Sequence, residues 1–185
     1  GHNDAGLPGC CTTGHALPTL LLGRTPIGEP VGDVMRLIDV LLAHFAEYID
    51  ADNILCIGNS GGGTATAYSA ALEDRIVLAA PSCAMCTYRD SIGAMPHCAC
   101  NFVPHIAEYF DMGDLLAMSY PKYFVQINGQ EDTIFPIAGA KEVFEKGKAA
   151  YADMGKGDNC VHVVGPEGHR FYADLSWPVF HKLVK

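Results

Sequence analysis

The segment Gly58-Asn59-Ser60-Gly61-Gly62 fits the pattern G-x-S-x-G. A serine placed this way can attack an acyl carbon if a strand precedes it and a helix follows, because the sharp turn lifts its hydroxyl above the sheet. Glycine is expected on both sides, where so tight a turn leaves no room for a Cβ. The helix start adds partial positive charge where an oxyanion would develop, and the Gly61 N–H is the expected first donor to it. The same letters also describe a loop that merely turns a strand into a helix, or one that cradles phosphate. The lysine of a P-loop and the spacing of a dinucleotide fingerprint are both missing.

A serine hydroxyl is a poor nucleophile without a base, and the base needs an acid to orient it. Asp132 lies in Gly129-Gln130-Glu131-Asp132-Thr133, and His169 in Gly165-Pro166-Glu167-Gly168-His169; both stretches follow apolar, strand-like runs. The order serine, acid, histidine is the one used on α/β-hydrolase scaffolds. Asp132 could equally be a turn residue before Pro136, and Glu131 competes with it for the acid role. Of the eight histidines, His2, His15, His44 and His181 read as surface or terminal residues, His97 and His105 fall in an irregular segment, and His162 lies within a strand. Only His169 occupies a glycine loop after a strand.

These residues need a scaffold that brings them together across separations of 72 and 37 positions. Residues 1–30 are rich in Gly, Pro and Thr and read as irregular, with a turn near Leu20. Asp33 offers an N-cap, and Val34, Leu37, Ile38, Leu41, Leu42, Phe45 and Ile49 repeat as one face of a helix over 33–50. Apolar runs at 53–58, 75–80, 123–128 and 160–164 predict strands. Helices are predicted at 62–72, 111–118, from Pro136 to about Met154, and over 172–183. Residues 81–110 have no clear period. Strands alternating with helices predict an α/β class, with a mostly parallel sheet of about four strands and helices on both faces. In such a sheet the strand C-termini share one rim, where ligands bind. The chain reads as a single domain over 1–185.

Composition narrows the partners. The chain has 185 residues and a formal net charge of −9 with no Lys/Arg run, which argues against a nucleic-acid backbone. No apolar run approaches the roughly 20 residues of a membrane span. Eight cysteines, two of them inside strand-like runs, suit a reducing compartment better than a disulfide scaffold, so a cytoplasmic location is expected. Cys83-Ala84-Met85-Cys86 and His97-Cys98-Ala99-Cys100 invite a zinc reading. The single residue between Cys98 and Cys100 fits a zinc knuckle poorly, and these thiols are expected to shape an acyl pocket or pack under the loop instead.

Leu21-Leu22-Gly23-Arg24-Thr25, the serine segment through Thr64, His97-Cys98-Ala99-Cys100-Asn101, Asp132-Thr133-Ile134-Phe135-Pro136 and Gly168-His169-Arg170-Phe171 together resemble acetyl xylan esterase-like α/β hydrolases. The resemblance runs from about Leu20 to the end. It implies hydrolysis of small acyl esters, acetyl above all, with no cofactor or metal, through the triad Ser60, Asp132 and His169. Such hydrolases place several strands before the nucleophile strand, and an early loop supplies a second oxyanion donor. Here only the 33–50 helix precedes it, so the chain reads as the C-terminal part of the fold. The serine strand would then be an edge. A second copy, a missing N-terminal chain or residues 1–30 are expected to cover it, and the chain by itself is expected to be a weak esterase or a non-catalytic fragment.

Overall fold

A computed structural model describes residues 13–184. Four strands, β1 (Ile54–Asn59), β2 (Ile76–Ser82), β3 (Tyr123–Gly129) and β4 (Cys160–Gly165), form one sheet in the order β1-β2-β3-β4. All three pairings are parallel, and Gly58 stands opposite Pro81 while Gly129 stands opposite Gly165. Each crossover carries a helix: α3 (Gly61–Leu72), α4 (Met112–Met118) and α5 (Ile137–Asp153). The class is therefore α/β, with four parallel strands and flanking helices.

Because the strands follow one another in sequence order, crossovers of one hand deliver their helices to one face. The core shows this. Phe124, Ala79 and Ile76 point into the larger cluster with Ile38, Tyr68, Leu116, Phe144 and Tyr151 from the helices. The alternate strand positions Leu78, Ala80, Val125, Ile127 and Val163 meet Tyr172 and Phe180, with Phe171, Val179 and Leu183 partly buried beside them, around α6 (Ala173–Leu183). One face of the sheet is thus covered by several helices and the other by α6.

Two expectations fail at the N-terminal side. Residues 13–21 are a helix, α1 (Thr13–Leu21), although Pro18 lies inside it. Then α2 runs from Gly28 to His44, so Asp33 sits within the helix and caps nothing; Ile27 precedes it without a side-chain cap. Pro30 is tolerated because it occupies the first turn, where the missing N–H would have had no partner. Phe45 ends the helix, and Tyr48 and Phe45 beyond it are exposed. At α5, Pro136 is the residue before the first turn rather than inside it. By contrast, α4 begins with a capping box: Asp111 accepts from the Met112 N–H, and Asp114 accepts from the Asp111 N–H. No described helix is long and apolar enough to cross a membrane.

The edge position of β1 is as expected, since it pairs with β2 alone. Residues 13–30 do not close that edge, being helical from Thr13 to Leu21 and again from Gly28. His2, Cys10 and Cys11 lie outside the described residues.

Candidate active site

Ser60, Asp132 and His169 follow β1, β3 and β4, so all three stand at the C-terminal rim of the sheet. Ser60 adopts φ 56° and ψ −122°, a conformation non-glycine residues rarely take. Its N–H donates to the Ser82 carbonyl at 2.8 Å, which pins the turn against the end of β2. The Ser82 hydroxyl donates to Asn59 Oδ1 at 2.8 Å on the same side.

The glycine requirement differs in part from expectation. A Cβ at Gly58 would lie 2.2 Å from the Gly62 carbonyl oxygen, so the first glycine is obligatory. A Cβ at Gly62 would meet nothing within 4 Å. The second crowded position is Gly63, whose Cβ would approach the Ser82 carbonyl oxygen at 2.6 Å. The helix α3, rather than the turn, needs this close approach to β2. Gly61 is the first residue of α3, and an N–H in a first turn has no intrahelical acceptor.

Asp132 is held from three directions. Its Oδ1 accepts from the Ile134 and Phe135 N–H groups at 2.8 and 3.1 Å, and its Oδ2 accepts from His169 Nδ1 at 2.9 Å. The side chain is fully buried, and burial alone would raise its pKa. The hydrogen bonds from His169 and the two backbone groups outweigh this and hold it below the ordinary carboxylate range. An ionised carboxylate only accepts, so Nδ1 of His169 is the protonated nitrogen in this hydrogen bond. Glu131, the alternative acid, is exposed and meets the histidine loop only through its backbone N–H on the Glu167 carbonyl. A Cβ at Gly129 would lie 2.1 Å from the Gly168 carbonyl oxygen, so glycine at the end of β3 lets the acid and histidine loops touch.

Between Ser60 Oγ and His169 the described residues form no hydrogen bond. Such bonds are often long in a site without substrate and tighten when it binds. The imidazole lies against Phe135, ring centroids 5.9 Å apart and nearly parallel.

Two further side chains reach this rim. His97 meets the Phe135 ring edge-on at 5.3 Å. Because Ser91 Oγ donates to the Ile134 carbonyl at 2.6 Å, it can only accept at His97, so His97 Nε2 carries the proton. Asn101 Oδ1 accepts from Thr64 Oγ1 on α3 at 3.1 Å, and Asn101 Nδ2 lies 3.5 Å from His97 Nδ1. Burial, reinforced by His169, pulls the His97 pKa below its usual range despite the Ile134 carbonyl and Asp132. His97 had no spacing signal beyond the motif that contains it. Cys83 follows β2 directly and is fully buried, with its thiol donating to the Arg170 carbonyl at 3.3 Å. Burial and the nearby Asp132 charge push the thiol up to about 11. Its position one residue past a parallel strand was the available clue.

The four thiols weighed as a zinc site do not converge. Cys86 turns to the Pro136 carbonyl, Cys98 is exposed and Cys100 is buried near Asn101. His44 and His181 are exposed, as expected. A cavity of about 800 Å³ is lined by Tyr88, Ile92, Phe102, Val103 and Phe110 and includes none of Ser60, Asp132 and His169. It reaches their surroundings through Asn101.

No protein-family model matches the chain. Among curated proteins it is 27% identical over 154 residues to the "Putative hydrolase YtaP" of Bacillus subtilis (strain 168), covering 81% of this chain and 50% of that one. Among solved structures it superposes on a carbohydrate esterase family 15 glucuronoyl esterase from Caldicellulosiruptor kristjansonii with a TM-score of 0.74, at 15% identity, covering 86% of this chain and 50% of that one. Methylesterase BT1017 gives a TM-score of 0.68 at 22% identity, covering 86% of this chain and 37% of that one. The chain thus spans about half the length, or less, of the proteins it matches. Its fold is the α/β-hydrolase fold of these esterases, of which it covers about half or less.

Proposed function

We propose that the chain carries the catalytic residues of a serine carboxylic-ester hydrolase. The observation that supports this best is the buried Asp132–His169 pair, 2.9 Å apart, on the same strand rim as the strained Ser60 turn. In this reading Nε2 of His169 takes the proton from Ser60 Oγ as the oxygen attacks the ester carbonyl. Asp132 stays ionised, keeps the tautomer and stabilises the imidazolium, while the Gly61 N–H binds the oxyanion. His169 then protonates the departing alcohol, and water repeats the cycle on the acyl-enzyme. No cofactor is needed for these steps.

Small acyl esters, acetyl esters first, are the proposed substrates, on the strength of the sequence resemblance. The structural neighbours are named for glucuronoyl and methyl esters, so a panel of p-nitrophenyl acetate, acetylated sugars and methyl glucuronate separates the ester classes. Labelling with a fluorophosphonate tests the mechanism more directly. Modification at Ser60, lost in Ser60→Ala, is the expected result; an unlabelled wild-type protein would remove the enzyme reading.

A second reading concerns completeness. Ile57 on the edge strand is 37% exposed, and Leu37 and Val40 on α2 are 57% and 47% exposed. We infer that a second copy or a separate N-terminal segment pairs with β1 and contributes the second oxyanion donor, so that the chain by itself is a weak catalyst. Light scattering tests this: a monomer with full esterase turnover would overturn it.

A further inference from the structure

The acid–base pair has a third neighbour that the ester mechanism does not use. A thiol sulfur of Cys83, a carboxylate oxygen of Asp132 and an imidazole nitrogen of His169 all lie within 4.8 Å of one another. Sulfur, oxygen and nitrogen of this kind are the ligands of zinc and its softer relatives. Around a tetrahedral zinc such atoms stand about 3.3–3.6 Å apart, given metal–ligand bonds of about 2.0–2.3 Å. Asp132 Oδ2 and His169 Nδ1 stand 2.9 Å apart, so a metal has to spread that pair by a few tenths of an ångström and draw the sulfur in by up to about 1.5 Å.

The surroundings fit a ligand set rather than a chance cluster. Asp132 Oδ1 is committed to the Ile134 and Phe135 N–H groups, which aims Oδ2 at the other two ligands. Cys83 has φ 47°, where glycine is favoured, so a side chain is held there at a backbone cost. Cys83 and Asp132 are buried, while the His169 side chain is 23% exposed and leaves an approach from solvent. Three protein ligands leave a fourth position open for water.

We propose that Cys83, Asp132 and His169 form a site for a soft divalent cation such as zinc or cadmium, and that its occupancy switches the hydrolase off. Binding forms a metal–sulfur bond as the thiol proton leaves to solvent; no electron changes hands. Whichever imidazole nitrogen binds, the base is lost. At Nδ1 the metal displaces the proton held against Asp132, which moves to Nε2 and blocks it, and at Nε2 the metal occupies the lone pair that should receive the Ser60 proton. Binding itself does not depend on the esterase reading; its inhibitory consequence does.

The test uses zinc and cadmium on the whole chain, with Cys83→Ser, Cys83→Ala and, as a control for the exposed thiol, Cys98→Ser. Zinc should slow fluorophosphonate labelling of Ser60 by at least about tenfold. Losing a supporting partner alone costs about 10–100-fold in metal affinity, so either Cys83 variant should raise the inhibitory concentration by about 100-fold or more. Cys98→Ser should behave as wild type. Cadmium should give a thiolate charge-transfer band that the Cys83 variants lack, provided their thermal midpoints show that they fold. Equal inhibition of wild type and variants, labelling indifferent to zinc, or an unchanged cadmium band overturns the proposal. If Ser60 never labels even without metal, the esterase reading falls, and the cadmium band still decides the site.

Discussion

At the β3–β4 end of the rim, the Asp132 carboxylate is buried and receives three hydrogen bonds from the chain itself. At the β1 end, Ser60 sits on an edge strand whose one partner is β2, with Ile57 and Asn59 open to solvent. The difference teaches that the acid and base of the site are preorganised by short-range contacts, between loops that two adjacent strands deliver. The nucleophile is shaped locally, by the Ser82 carbonyl and the Gly58 approach, while the oxyanion environment depends on whatever continues the sheet. A preorganised base without a complete oxyanion site loses about 10²–10³ in turnover.

The comparison can be broken most sharply at the serine. Ser60→Ala should lower p-nitrophenyl acetate turnover by about 10⁶, down to background, because base and acid have nothing to activate. At the other end, Asp132→Asn should cost about 10⁴ by favouring the wrong His169 tautomer. Exposed Glu131→Gln should change turnover by less than about threefold, since surface substitutions away from such features are nearly neutral. A damaging Glu131→Gln would reverse the acid assignment.

Acidification probes the well-finished side of the sheet. His162 on β4 is half-buried against Phe144, and its Nε2–H donates to Asn128 Oδ1 at 3.0 Å. Burial, with Lys141 adding to it, lowers its pKa from 6.5 to about 4. The unfolded chain therefore binds the proton more readily. The stability that neutral His162 supports is complete above pH 6.5 and declines as pH falls from there to about 4. The loss should reach up to about 3 kcal/mol, read as a falling urea midpoint that His162→Gln flattens. The smallest effect belongs to the open side. Ile57→Lys should shift monomer stability by only about 0.5 kcal/mol, yet abolish any self-association through β1, as seen by light scattering.

Much of the scaffold was legible because strands and helices leave local signals. The runs at 53–58 and 123–128 became β1 and β3, and the serine turn lies between β1 and α3 as its motif requires. Signals failed where prolines and glycines conceal a helix. Pro18 and the surrounding Thr and Gly hid α1, and Pro30 hid the first turn of α2, because a proline reads as a breaker until its position in the turn is known.

From the residues themselves came the α/β class, a mostly parallel sheet of about four strands, and the presence of a serine, an acid and a histidine after three of them. Those properties follow from periodicity and from short motifs, which a chain expresses within a few residues. Only the tertiary structure decided that Asp132 and not Glu131 meets His169, that Gly63 rather than Gly62 is crowded, and that Cys83 stands beside the acid. Each depends on a distance between segments far apart in sequence, set by the parallel register that aligns the strand ends, and local pattern carries no information about that.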